Sequence, residues 1–261
     1  MRPGPAVPVA RLVRLARRGL ARLQRSPRTP RRFAAAPVLA PEVAQRLRER
    51  IEQLTPADRR ALDPTSHPRD FRQPNDTSCG AASLVVSRML HDEAYALWVT
   101  TGHDVRSGAT DAAPFAERWP AEVVRMHRRV SGLRDHDGDL QWPWLRVVGT
   151  SPWGAARQMT GEGGSGLPCH SYEARTLDPD DLASAFDLVL TAVEAGHTVP
   201  LYVGDEVRPA HVVLAMSARD GAVRVFEPSA GRLVRVDRDA FATATLRLGG
   251  WSVPWFAVLP R

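Results

Sequence analysis

An α+β fold is predicted for this 261-residue chain from three observations. Apolar residues recur at helical spacing through several segments before Gly196. After Gly196 the chain turns to short β-branched segments punctuated by turn residues. Asp220-Gly221, between two of those segments, is a strong hairpin signal. Helices first and an antiparallel sheet later describe an α+β domain. Charged and apolar fractions of 25% and 43% are ordinary for a globular protein, and no internal repeat is visible.

The elements follow in chain order. Residues 1–7 are Pro-rich and predicted to be disordered. Val9, Leu12, Val13, Ala16, Leu20 and Leu23 fall at helical spacing with arginines on the other face. RSPRTPRRFAAAP (25–37) reads as a linker, and APEVAQRLRERIEQL as a helix with Pro41 and Glu42 in its first turn. Thr55-Pro56 forms an N-cap and N1 pair. HPRDFRQPNDTS is loop-like and leads into a helix over about residues 79–90. Another helix is expected over 115–130, with turns such as SGLRDHDGD nearby. LQWPWLRVVGTSPWGAARQM is aromatic and apolar, and GEGGSG after it reads as flexible. Asp178-Pro179-Asp180-Asp181 starts an amphipathic helix that Gly196 ends. VPLYVG, AHVVLAMS, AVRVFEP, RLVRVD and WSVPWFAVLP are the strands, with Pro254 pointing to a sheet edge. The plan is thus a basic extension and linker (1–37), a helical lead-in (38–65) and one domain (66–261).

All 35 basic residues are arginine, as in proteins from high-GC bacterial genomes. Residues 1–32 hold ten of them and no acid, whereas the rest has 25 basic against 29 acidic residues. The basic balance therefore belongs to a tail. Cys79 and Cys169 make no disulfide framework, and no CxxC pattern points to zinc. No apolar run reaches the length of a membrane span, and VARLVRLARRGLARL is too often interrupted by arginine for a secretory signal. Cytoplasmic residence with reduced thiols is the expectation. Residues 9–24 leave several readings open: a solvated tail, a helix docked on the acidic body and obstructing its cleft, or a helix on an anionic membrane surface. Nucleic acid, bound weakly and in a salt-dependent way, ranks last.

The chemistry centres on DTSCGAASLVVSRM, where Cys79 sits in the first turn of a helix. The helix dipole and unsatisfied N–H groups there favour a thiolate, the nucleophilic form. Ser78, Gly80, Ala81 and Ala82 are small enough to admit a substrate backbone. Upstream, the Gln73 amide could donate to an oxyanion beside the Cys79 N–H. A buried cysteine with no chemistry is the competing reading of this stretch alone. A nucleophile needs a base, and the base an orienting acceptor. His211 opens AHVVLAMS, and the hairpin returns the chain to Glu227-Pro228, so the two can face each other near its open end, with some stagger.

Gln73…Ser78-Cys79-Gly80, GHTVPLYVG with AHVVLAMS, and VFEPSAG together resemble the papain-like cysteine peptidases, in the bacterial branch related to bacteriocin-leader-processing peptidases. The resemblance spans about residues 66–259 and rests on the order of the motifs and the gap of roughly 130 residues from Cys to His. It implies a helical lobe carrying the cysteine and an antiparallel sheet lobe carrying the histidine and acid. By position it implies Cys79 as nucleophile, His211 as base and later acid, Gln73 as oxyanion donor and Glu227 as the residue orienting the imidazole. Glu227 departs from the family's usual Asp or Asn, and Asp220 is a rival. The implied reaction is cleavage of a peptide or amide bond, with no cofactor and no metal. Acyl transfer on the same site and a catalytically silent peptide-binding module are the alternatives.

Other signals are weaker. Gly161, Gly163 and Gly166 fit GxGxxG without a preceding strand. Asp135, Asp137 and Asp139 suit a turn better than a calcium loop, because Leu140 stands where that loop needs glycine. Cys169-His170 lacks companions at metal-ligand spacing. Trp142, Trp144 and Trp153 read as core and lobe-interface packing, with one or two lining a cleft.

Overall fold

The computed structural model describes residues 9–24, 39–135, 138–140, 149–161 and 163–261. Trp142, Trp144 and Asp137 lie outside them. Mixed helices and a six-stranded antiparallel sheet make an α+β fold. The strands are β1 (Tyr172–Thr176), β2 (Val199–Gly204), β3 (Pro209–Arg219), β4 (Ala222–Glu227), β5 (Arg232–Val236) and β6 (Val253–Pro260). They lie in the order β1-β6-β2-β3-β4-β5.

Helix α1 (Val9–Leu23) precedes α2 (Pro41–Glu52) and α3 (Pro56–Ala61), the last capped by Thr55 Oγ1, which accepts from Asp58 N–H at 3.1 Å. Next come α4 (Cys79–His91), α5 (Glu93–Thr101), α6 (Phe115–Val130) and α7 (Pro152–Met159). A buried cluster joins Leu84, Val85 and Met89 of α4 to Val123 and Met126 of α6 and to Tyr202, Val212, Leu214 and Phe226 of the sheet. Alternation along the strands sends Val199, Leu201, Val213 and Val225 to the other face, where they pack with Phe186 and Val189 of α8 (Leu182–Glu194). The helix bearing the cysteine therefore lies on the sheet bearing the histidine, with apolar contact fixing its position.

Asp220 and Gly221 both have positive φ, 52° and 68°, as a two-residue hairpin between β3 and β4 requires. Two expectations are corrected. Pro254 is not on an edge, because β6 runs between β1 and β2. The ladder slips beside it, pairing Tyr202 with Phe256 but Val203 with Pro254, and a proline without an N–H is accommodated at that bulge. GEGGSG is packed where Ser165 and Gly166 are buried, and Ser165 N–H donates to Gln158 O at 2.7 Å.

Helix α1 docks on the body through Ala10, Val13, Arg17 and Ala21. Arg17 is buried, donates to Leu177 O (3.2 Å) and Pro254 O (2.6 Å), and lies 4.2 Å from the Trp255 ring centroid. Arg14 and Arg18 pair with Asp180. Burial pulls the Arg17 guanidinium down to about 10, so it stays charged at neutral pH.

A Cβ at position 166 would fall 2.5 Å from Met159 O and against the Tyr172 ring. Gly166→Ala is expected to cost about 1–3 kcal/mol, read as a lower urea midpoint. A change within about 0.5 kcal/mol would mean that the segment is as loose as its composition suggests.

Candidate functional site

Ser78 occupies the N-cap position of α4, yet its hydroxyl donates to Asn75 O (2.9 Å) and does not cap the helix. The first-turn N–H groups, Cys79's included, have no acceptor within the helix and none from its cap. Asn75 Oδ1 in turn accepts from Thr77 N–H at 3.1 Å, which holds the loop as a compact turn. Cys79 is thus placed at an uncapped helix start, 5% exposed.

His211 lies at the entrance to β3, opposite Val203 of β2. Leu214 pairs with Phe226, so continuing that register sets Glu227 opposite Val213, two positions from His211. Such diagonal neighbours are about 7–8 Å apart at Cα, which the longer glutamate side chain spans. The His211 Nε2···Glu227 Oε1 distance is 2.8 Å. The carboxylate, fully buried, also accepts from Ser229 N–H (2.8 Å) and Ala230 N–H (3.1 Å), and Arg232 Nε lies 3.9 Å from it.

Burial pushes the Glu227 carboxyl up, but hydrogen bonds from His211 and Ser229 and the nearby positive charge outweigh it and hold the pKa at about 2. An ionised carboxylate can only accept, so Nε2 of His211 carries the hydrogen and Nδ1 is the nitrogen left for another partner. Burial lowers the imidazole pKa, while hydrogen bonding to Cys79 and Glu227 and their negative charge lift it to about 9. The carboxylate is thus hydrogen-bonded to the imidazole, and Cys79 is close enough to the ring to favour its charged form.

The cysteine loop and the acid's turn are tied directly. Gln73 N–H donates to Pro228 O (2.9 Å), and Arg72 Nε–H to Ser229 O (3.1 Å). The Gln73 side chain is turned elsewhere: its Nε2 donates to Asn75 O at 2.8 Å, while its buried Oε1 has no partner. Its amide has a second N–H, so the donor role read from sequence uses one of two hydrogens. Asp220, the rival acid, is 77% exposed at the far turn of the hairpin, and Glu227 alone of the two bonds to His211.

Three neighbours escape sequence reasoning. Tyr202 of β2 is buried with its hydroxyl unpartnered. Burial raises its pKa well above the usual phenol value, and negative charge on Cys79, in the same buried cluster, raises it further, which keeps the O–H protonated. Thr150, just before α7, packs on Gly80, where a Cβ would come within 2.6 Å of its Cβ. Gly249, at φ +60°, lies so close to the His211 ring that a Cβ would meet Nε2 at 2.9 Å. The Gly249-Gly250 pair is a readable turn signal, but its closure over the imidazole depends on long-range packing.

A cavity of about 610 Å³ lies between α1 and α7, with Leu20, Trp153, Ala156, Tyr172 and Phe256 among its walls. Cys79, His211 and Glu227 do not line it, but Phe256 stacks edge-on against Tyr202 at 6.0 Å, one ring from the cysteine's surroundings. Trp153 thus lines a cavity and is 41% exposed. No three His, Cys, Asp or Glu side chains among the described residues are placed to hold a metal ion, and no described helix is long and apolar enough to cross a membrane. No protein-family model matches the chain, and no curated protein matches it.

The two shifts set the pH dependence of stability. His211, raised in the folded state, contributes fully below its unfolded value near 6.5, and the contribution is lost as pH rises through about 9. Glu227, depressed, contributes fully above about 4.5, lost as pH falls through about 2. Chemical denaturation should therefore show a plateau at pH 4.5–6.5 and an alkaline decline of order 1–3 kcal/mol. Glu227→Gln should flatten that decline; an unchanged alkaline limb would separate the two groups.

Proposed function

We propose that the chain is a cysteine-dependent peptidase or amidase of papain-like architecture, working through a thioester acyl-enzyme. The observation that carries this reading is the buried Glu227 carboxylate bonded to Nε2 of His211 at 2.8 Å, which leaves Nδ1 for Cys79 at an uncapped helix start. A histidine that only filled the core would need neither an ionised acceptor nor a neighbouring thiol.

In this reading the proton of Cys79 rests on Nδ1 of His211, and the thiolate attacks the carbonyl carbon of the scissile amide. The carbonyl π pair moves to oxygen, and the oxyanion is met by first-turn N–H of α4 with the Gln73 amide or the Tyr202 hydroxyl nearby. Nδ1–H then protonates the leaving nitrogen, the C–N bond breaks and a thioester remains. Water, giving a proton to Nδ1, attacks the thioester, and collapse of that intermediate releases the acid and restores the thiolate–imidazolium pair. Glu227 keeps the ring in one tautomer and stabilises its charged form throughout. An amine in place of water would give acyl transfer. The low exposure of Cys79 favours the silent peptide-binding module as a second reading.

Iodoacetamide at neutral pH distinguishes the two. Cys79 is expected to label faster than Cys169 despite being the more buried thiol, by about tenfold or more, and to lose that advantage in His211→Ala. Equal, slow labelling of both thiols would sink the enzyme reading and leave the binding module.

A further inference from the structure

Helix α1 docks through a narrow face of small apolar residues centred on the buried Arg17, and its larger apolar side chains stay exposed. Ala10, Val13, Arg17 and Ala21 face the body. Val9, Leu12, Leu15, Leu20 and Leu23 are between 51% and 80% exposed. At 3.6 residues per turn Leu12, Leu15, Ala16 and Leu23 share an arc turned away from the docked side, while Val9 and Leu20 flank Val13 at its edge and Leu20 lines the cavity toward α7. Arg11 and Arg22 lie on the rim of that arc next to Leu15, while Arg14 and Arg18 are turned toward Asp180.

The attachment joins the apolar contacts of Val13 and Ala21 to several polar ones and does not need Leu12, Leu15 or Leu23. Two backbone carbonyls and the Trp255 ring hold Arg17, and Thr176 N–H donates to Gln24 Oε1 at 2.7 Å. This leaves a continuous apolar stripe exposed on a helix whose place on the body is already secured. Its occupant must be apolar at the stripe and negative at the rim, since residues 1–32 contain ten arginines and no acid. A second copy would bring the same arginines face to face. Nucleic acid would satisfy the arginines and leave the leucines in water. A bilayer surface with anionic headgroups meets both demands.

We propose that α1 is a surface anchor for anionic membranes, its Val9–Leu23 apolar stripe entering the headgroup–acyl boundary and Arg11 and Arg22 meeting the phosphates. This does not depend on the peptidase reading. The test is co-sedimentation of the full chain with phosphatidylcholine vesicles, with and without a minority of phosphatidylglycerol. Binding is expected on the anionic vesicles, weakened by salt, and roughly tenfold or more weaker in Leu12→Glu/Leu23→Glu. Both positions are exposed, so an unchanged circular dichroism spectrum and melting temperature should accompany the loss, and Leu15→Glu alone should weaken binding in the same direction. No sedimentation with anionic vesicles would overturn the proposal. So would binding that the leucine variants leave intact, or a dimer that Leu12→Glu/Leu23→Glu dissolves in the absence of vesicle binding.

Discussion

The buried carboxylate of Glu227 is the contact on which the rest of the site depends. A charge with no exposure to water must be paired and hydrogen-bonded to persist. His211 supplies one partner and the Ser229 and Ala230 amides supply two more. The same carboxylate therefore orients the imidazole and shapes the turn after β4. Through Pro228 O and Ser229 O that turn holds Gln73 and Arg72, and so the loop that delivers Cys79. A single anion links the end of the sheet to the start of the central helix.

Close packing supports that link. Thr150 seals the second residue of α4, Gly249 lies on the imidazole, and the apolar clusters on the two sheet faces fix α4 and α8. Where glycine touches His211, the ring has little room to turn, which favours one geometry over several. The uncapped first turn of α4 is the complementary feature. Ser78 has the right side chain to cap it, and its bond to Asn75 O leaves those N–H groups available.

Much of the architecture was legible wherever a local rule applied. The helices α2, α4, α6 and α8 and the β3–β4 hairpin carry caps, periodicity or turn residues in their own sequence. Among the named elements α5, α7 and β1 were not visible. Helix α5 buries Ala94, Tyr95, Ala96, Leu97 and Val99, and a helix covered on most sides has little amphipathic pattern. Strand β1 is YEART, mostly polar and without a run of β-branched residues, and pairing with β6 makes it a strand. Pro254 misled for a related reason, since the bulge that accommodates it forms between strands far apart in sequence.

Residue patterns alone gave the α+β class and most of its elements, the asymmetry between a basic tail and a mildly acidic body, and the candidates Cys79, His211, Glu227 and Gln73. Those follow from residue type and short-range spacing, which act along the chain. Tertiary structure decided that Glu227 and not Asp220 meets His211, because the sheet register sets one beside the ring and the other at the far turn. It decided that Tyr202, Thr150 and Gly249 surround the cysteine and histidine, and that α1 buries Arg17 and exposes its leucines. Each of these depends on surfaces brought together from distant parts of the chain, where hydrogen-bond satisfaction and packing override the local pattern.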